Sequence, residues 1–303
     1  MAPINNNLPT LWQGVIYKFL LPLNPDTSIA SLLNKLNSKF AQLVSFKRIM
    51  IRESSEQKPK TINYYGLDVI PSGGGKDKPL KEIDEYLFCD FKETFKKANS
   101  EYLKSKEEAI KEKAGREFKE SDKKQFAYIE KSMQEIRDVR MEIGDGTPEG
   151  FYDDMKALND AGFGGAFLKI SEFGLYLDSP SSAQQLMLNM LYEAYDGSAS
   201  LKSTKGEKRS YYVENIPVNC ILFSDPSKFA GGKSGQTLNN MLDSGLGRRC
   251  FISFMEDTEL IITEDPDEQR MNEAIAYNKT HELRDIIFWY FQEIPDNAVY
   301  TLD

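Results

Sequence analysis

Apolar positions along this chain fall into two rhythms. From Ser28 to Leu43, the residues Ile29, Leu32, Leu33, Leu36, Phe40 and Leu43 recur near a helical period, which predicts an amphipathic helix. Gln184–Tyr195 reads the same way, with Leu186, Met187, Met190, Leu191 and Ala194 on one side and Gly197 as its stop. A closing helix is predicted over Asn272–Gln292, carrying Ile275, Ile286, Phe288 and Trp289. Short unbroken apolar runs predict buried strands at residues 65–70, Ala166–Ile170, Asn219–Phe223 and Phe251–Phe254. Thr147-Pro148-Glu149 marks a helix start: a capping hydroxyl, a proline suited to the first turn, and an acid at the positive end. That helix is expected to run to about Asp160 and stop at Gly162.

Residues 92–140 break the pattern. They are dense in Lys and Glu, and their apolar positions are sparse. Phe126, Ile129, Met133 and Ile136 make one narrow stripe, and Tyr102, Ala109 and Ile110 a weaker one before Gly115. Two charged helices packed as an antiparallel hairpin are predicted, either a solvated arm or a contact element for a neighbouring subunit or a nucleic acid. Alternating strands and helices give an α/β fold with a mainly parallel sheet flanked by helices. Residues 1–60 read as a helical lead-in ending in a polar linker, Glu53–Lys60. Residues 61–303 read as the core, with 92–140 inserted as the hairpin.

Composition narrows the class. The 303 residues are 40% hydrophobic and 28% charged, which suits one large domain or a domain with an appendage. A net charge of −9 argues against broad coating of nucleic acid. Cys89, Cys220 and Cys250 lie far apart and form neither a disulfide framework nor a zinc spacing, so a reducing cytoplasm is the expected setting. The lone His281 excludes a multi-histidine metal site and reads as structural. Val15–Leu23 is too short to span a bilayer, so no membrane partner is expected.

The most informative segment follows the strand at residues 65–70. Pro71-Ser72-Gly73-Gly74-Gly75 is a glycine-rich turn, then come Lys76, Asp77 and a helix-forming stretch, Pro79–Leu87. Strand, glycine loop, lysine and helix form the layout of a phosphate cradle: backbone N–H groups converge on phosphate oxygens and the lysine neutralises charge. The P-loop pattern Gly-x4-Gly-Lys-Ser/Thr has Ile70 at its first glycine and Asp77 at its Mg2+-binding hydroxyl. A flexible surface loop is the other reading.

Further along, the strand Ala166–Ile170 ends in Ser171-Glu172, where an acid is placed to orient Mg2+ or polarise water. Ser171 stands where a second acid is usual. Asn219–Phe223 is tipped by Ser224-Asp225, a polar tip beside the nucleotide strands or a simple turn. Gly231–Gly235 looks like a second glycine loop but lacks a leading strand, and reads as a mobile loop. Arg248 and Arg249 on the turn Gly245-Leu-Gly-Arg-Arg are candidates for fingers on a neighbouring subunit's phosphate.

In order, Tyr65–Leu80, Asp145–Glu149, Leu168–Gly174, Leu191–Gly197 and Asn219–Phe254 resemble the helicase-like P-loop ATPases of bacteriophages, prophages and plasmids, which have a RecA-like core and often accompany primase modules. The resemblance covers roughly residues 60–255. It implies a RecA-like P-loop NTPase core that assembles as a ring and couples ATP hydrolysis to DNA movement in phage or plasmid replication, in the bacterial host cytoplasm. It places Ser72, Gly73, Gly74, Gly75 and Lys76 on the phosphates, Asp77 and Glu172 at Mg2+, Glu172 as the catalytic acid, Ser224 as the sensor, and Arg248 or Arg249 as the finger. A catalytically degenerate fold, serving as a nucleotide-holding or protein- and DNA-binding assembly module, is the alternative that Ile70, Asp77 and Ser171 motivate.

Overall fold

A computed structural model describes residues 10–71, 74–118, 121–136, 138–144, 147–174, 182–202, 210–214, 216–228, 235–236, 245–255 and 265–302. The helix α1 (Thr10–Val15) passes through a π-helical turn, Ile16–Leu20, into α2 (Leu21–Leu23). The helix α3 (Ile29–Phe46) begins where the Ser28 hydroxyl accepts the Ser31 N–H at 3.3 Å. Three strands follow: β1 (Met50–Arg52), β2 (Lys60–Thr61) and β3 (Tyr65–Val69). The helix α4 (Lys78–Glu82) continues as a π-helical turn, Ile83–Leu87, ahead of α5 (Cys89–Glu117) and α6 (Asp122–Glu135). Then come β4 (Glu142–Ile143), α7 (Pro148–Asp160), β5 (Ala166–Ile170) and α8 (Ser182–Tyr195). The hairpin β6 (Ser198–Lys202) and β7 (Ser210–Glu214) precedes β8 (Val218–Ser224) and β9 (Cys250–Phe254). The chain closes with α9 (Pro266–Glu293) and β10 (Val299–Thr301).

The fold is α/β. Its centre is a five-stranded, all-parallel sheet in the order β4-β5-β8-β3-β9, flanked by helices. Chain order and spatial order diverge at one place. The connection from β3 runs to β4 at the far edge, whereas the connection from its neighbour β8 runs the other way, over β3, to β9. The connections from the carboxyl ends of β3 and β8 therefore lead to opposite sides, and the place between these two strand ends is termed the crevice. In open parallel sheets such a switch point is where ligands sit.

The two faces of the sheet are covered differently. One carries Tyr65, Leu67, Val69, Leu168, Ile170, Cys220 and Leu222 against α7 and α8, with Phe151, Tyr152, Met155, Met187 and Leu191 closing an apolar core. The other face meets α3, and every strand sends it one polar side chain: Glu142, Lys169, Asn219, Asp68 and Ser253. Asp68, on β3 between β8 and β9 and fully buried, accepts from Ser31, Asn34, Lys35 and Ser253. The Lys35 ammonium lies 2.7 Å from the Asp68 carboxylate with neither side chain exposed. Burial lowers the Lys35 pKa, and Asp68 opposes the shift. Lys39 pairs with Asp84 at 3.0 Å and lies over the Phe167 ring, and the Asn219 amide donates to the Ser45 hydroxyl at 2.9 Å. Gly66 allows the close approach, because a Cβ there would collide with Asn34.

The apolar stripe of α3 faces away from the sheet. Leu32, Leu36 and Leu43 join Val15, Ile16, Phe19, Leu20, Leu87, Phe88, Leu283 and Ile287 in a second, all-helical core. The stretch read as a helical lead-in thus lies between sheet and outer helices, and within its polar linker Lys60 begins a strand. A three-stranded sheet, β10-β1-β2, pairs the last strand of the described chain with the strand that follows α3.

The predicted hairpin is present: α5 and α6 pack on each other. The weaker expected stripe, Tyr102, Ala109 and Ile110, lines the inner side together with Tyr128 and with Ile136 of the other stripe, whereas Phe126 is 73% exposed and Met133 is exposed as well. The helix α7 starts at the Thr147 cap, whose hydroxyl accepts the Gly150 N–H at 3.2 Å. On α9, Ala276, Thr280, Leu283, Ile287 and Phe291 are buried, whereas Ile275, Ile286 and Trp289 are exposed. Among the described residues no helix is long and apolar enough to cross a membrane.

Candidate functional site

The carboxyl ends of β3, β5 and β8 bring together the segments that carry the candidate chemistry. Their relative height is fixed by the parallel register: Val69 pairs with Ser224, and Ile170 with Leu222. The Ile70 N–H donates to the Ser224 carbonyl at 2.9 Å, which extends the pairing of β3 and β8 to the mouth of the glycine loop.

The loop then turns, with the Gly74 N–H donating to the Pro71 carbonyl at 3.0 Å. Gly75 has φ +76°, the left-handed region that glycine enters without strain. The Thr27 hydroxyl, just ahead of α3, donates to the Gly74 carbonyl at 3.2 Å, and a Cβ on Gly75 would collide with it. Gly75 is therefore needed for the seat of the loop on Thr27, and Gly74 for its close approach to Ile70. Ser72 and Gly73 lie outside the described residues, as do Asp145, Gly146 and the second glycine loop at residues 231–234.

Two ion pairs cross from the loop to the end of β5. The Lys76 ammonium is 3.8 Å from the Glu172 carboxylate. The Asp77 carboxylate is 2.6 Å from the Lys169 ammonium. Asp77 stands at the cap position of α4, yet its side chain makes no capping hydrogen bond and turns to Lys169. Each of the two segments thus brings one lysine and one acid: Lys76 and Asp77 from the loop, Lys169 and Glu172 from the end of β5. Lys169 was missed in the sequence reading. Its signal was a lysine inside an otherwise apolar five-residue strand, three positions before the acid.

Ser224 is fully buried at the tip of β8, and its hydroxyl has no hydrogen-bond partner among the described residues. An unpaired buried hydroxyl costs about 1–3 kcal/mol, so this position calls for a partner. Asp225, next to it, accepts from the Ser227 N–H at 2.9 Å and forms a local turn.

The arginines lie elsewhere. Arg248 and Arg249 precede β9, whose first residue, Cys250, pairs with Tyr65 at the amino end of β3. The five-residue strand separates them from the glycine loop by roughly 16 Å at the usual strand rise. Arg249 binds within its own chain: it donates to Asp196 at 2.7 Å and its guanidinium lies 5.3 Å from the Tyr195 ring centre. Arg248 is exposed.

The resemblance implies Mg2+ at Asp77 and Glu172. In this arrangement each carboxylate is already held by a lysine, and among the described residues no group of three or more acids, histidines or cysteines gathers round a point. Mg2+ needs near-octahedral oxygen ligands, and two lysine-paired carboxylates are a poor donor set. The residues do not fit the expected metal site as they stand.

Cavities occur away from the crevice as well. One of about 650 Å³ lies between the hairpin and α7, lined by Tyr102, Lys106, Lys113, Tyr128, Asp153 and Lys156. Another of about 470 Å³ flanks α4 and shares only Asp77 with the crevice. No protein-family model, no curated protein and no solved structure matches the chain.

Proposed function

We propose that the protein binds a nucleoside triphosphate in the crevice between β3 and β8 and hydrolyses it, as an ATP-driven motor of the RecA-like, phage-helicase type. The observation that carries this reading is the meeting of Lys76 and Glu172 at 3.8 Å, from the ends of β3 and β5 on either side of β8 and beside the switch point, and from segments nearly a hundred residues apart. A five-stranded parallel sheet flanked by helices is compatible with a RecA-like core. The glycine loop lies at the carboxyl end of its strand and the acid at the end of another, which is the division of labour that phosphoryl transfer requires.

In this reading Lys76 leaves Glu172 for the β- and γ-phosphates. That frees the Glu172 carboxylate to accept a proton from the attacking water. The Ser224 hydroxyl, now unpartnered, meets the γ-phosphate or the water. Arg248 is the better candidate to reach a neighbouring subunit, because Arg249 is committed to Asp196. DNA as the track, a homo-oligomeric ring and primase partners enter through the resemblance alone.

The test is ATP turnover by the purified protein with and without single-stranded DNA. Lys76→Ala is expected to lower turnover by about a hundredfold or more, the usual order for a group that stabilises transition-state charge. Turnover at the wild-type rate in that variant would sink the phosphate-loop assignment.

A second reading, a nucleotide-holding assembly module, is favoured by the fact that Lys76 and Asp77 are both neutralised within the chain. It predicts ATP binding without turnover. ATP at about a hundred times its dissociation constant would then stabilise the fold by roughly 2.7 kcal/mol while no phosphate is released.

A further inference from the structure

We infer that Lys169 is a second phosphate-site cation, paired with Asp77, and that it makes triphosphate binding independent of a divalent metal ion. The inference rests on the nucleotide-site reading above and deepens it.

The argument starts from charge. A carboxylate beside the loop lysine is an awkward neighbour for a triphosphate, because like charges a few ångströms apart repel. A hydroxyl at that position would instead help hold Mg2+, which brings positive charge to the phosphates. This chain has neither a hydroxyl nor a free carboxylate there. Asp77 is held at 2.6 Å by Lys169, whose side chain is 21% exposed and reaches the crevice edge from the penultimate residue of β5. The pair replaces a negative group by a neutral one and leaves a lysine at the mouth of the site.

Geometry supports the pairing as a built feature. Lys169 projects on the α3 face of the sheet, beside Phe167 on its own strand and Ile221 on β8. Asp77 is the residue directly after Lys76. Four charges from two segments therefore pair off, Lys76 with Glu172 and Asp77 with Lys169, and these four sum to zero. An entering polyanion is attracted by both ammonium groups and repelled by both carboxylates. Lys76, 19% exposed, turns from Glu172 to the phosphates as in the reading above, and Lys169, 21% exposed, keeps Asp77 neutral beside them.

The experiment is equilibrium binding of ATP and of inorganic triphosphate to the full chain, each in Mg2+ and in EDTA, for the wild type, Lys169→Met and the double variant D77S/K169M. The wild type is expected to bind within about threefold of the same affinity in both buffers. Lys169→Met leaves Asp77 uncompensated, so binding in EDTA is expected to fall about tenfold or more, and Mg2+ to restore most of it. The double variant carries the hydroxyl and is expected to bind with Mg2+ dependence. A tenfold change in affinity corresponds to about 1.4 kcal/mol, well within the range of a charge contact.

Wild-type binding that collapses in EDTA would overturn the role of Lys169 and leave the nucleotide site standing. So would equal binding by Lys169→Met and wild type in EDTA. Absence of binding to either probe in both buffers would remove the nucleotide reading itself. Because Lys169 is at the rim, Lys169→Met is expected to fold, and the double variant gives a second, charge-neutral route to the same answer.

Discussion

The two faces of the central sheet teach opposite lessons about burial. Against α7 and α8 the strands present Leu, Val, Ile and Tyr, and the contact is an ordinary apolar core. Against α3 the same strands present Asp68, Asn219 and Ser253, and α3 answers with Ser31, Asn34, Lys35, Lys39 and Ser45, all buried. The apolar face tolerates exchange among residues of similar size. The polar face has no such tolerance, since each group that loses its partner stays dry and unsatisfied.

The sharpest way to break this contrast is to remove one partner of the buried ion pair. Lys35→Met strands Asp68 and is expected to cost about 3–5 kcal/mol, seen as a lower midpoint in urea unfolding. Replacing both partners, Lys35→Met with Asp68→Leu, is expected to recover much of that loss. A double variant as unstable as the single one would show that the seam acts through its wider network. On the apolar face, Leu168→Ala is expected to cost about 2–5 kcal/mol through the cavity it leaves, with no rescue by a second change.

A smaller effect separates the seam from its rim. Ser45→Ala removes the acceptor of the Asn219 amide and is expected to cost about 1–3 kcal/mol in the same unfolding assay. At the surface, Arg249→Ala breaks the pair with Asp196 and is expected to cost less than about 1 kcal/mol. If Arg249→Ala lowers turnover while stability holds, the arginine acts on a neighbour as well.

The smallest effect is a slope. The Glu82 carboxyl is raised above its ordinary value of 4.5, chiefly by burial, against the opposing hydrogen bond from Asn24 and the charge of Lys78. A carboxyl held more tightly when folded stabilises the fold fully below its unfolded value. That contribution is lost as pH rises through the raised folded value. Glu82→Gln cannot ionise, so its stability is expected to gain on the wild type as pH is raised from about 4 to about 7. Parallel curves for the two proteins would place the pH dependence on other groups.

What could be read in the sequence follows the same division. The apolar runs Ala166–Ile170 and Asn219–Phe223 gave their strands nearly to the residue, and Thr147-Pro148 gave the start of α7, because burial and capping leave local signatures. The helix α3 was legible, but its orientation was not. Its apolar stripe is the natural choice for the sheet-facing side, yet that stripe meets other helices, and the polar side that resembles a solvated face lies on the strands. No periodicity distinguishes a polar stripe bound for water from one bound for a buried carboxylate.

The short strands Met50–Arg52, Lys60–Thr61 and Val299–Thr301 escaped because two or three residues carry too little pattern, and β1 and β10 are in addition paired across most of the described chain. In the crevice, Lys76 and Glu172 were visible as a strand-end lysine loop and a strand-end acid. The pairing of Asp77 with Lys169 was not, since it joins two residues whose neighbours explain neither of them.

The three-stranded sheet has a consequence for how the chain is made. The Arg52 guanidinium donates to the Thr301 hydroxyl across 249 residues of chain, and Met50 pairs with Val299. A ribosome delivers Arg52 249 residues before Thr301. On its β10 side, β1 therefore stays open until the 249 residues that separate Arg52 from Thr301 have followed it. At the usual pace of about 5–20 residues per second this interval lasts tens of seconds, during which the nascent edge is exposed to other chains.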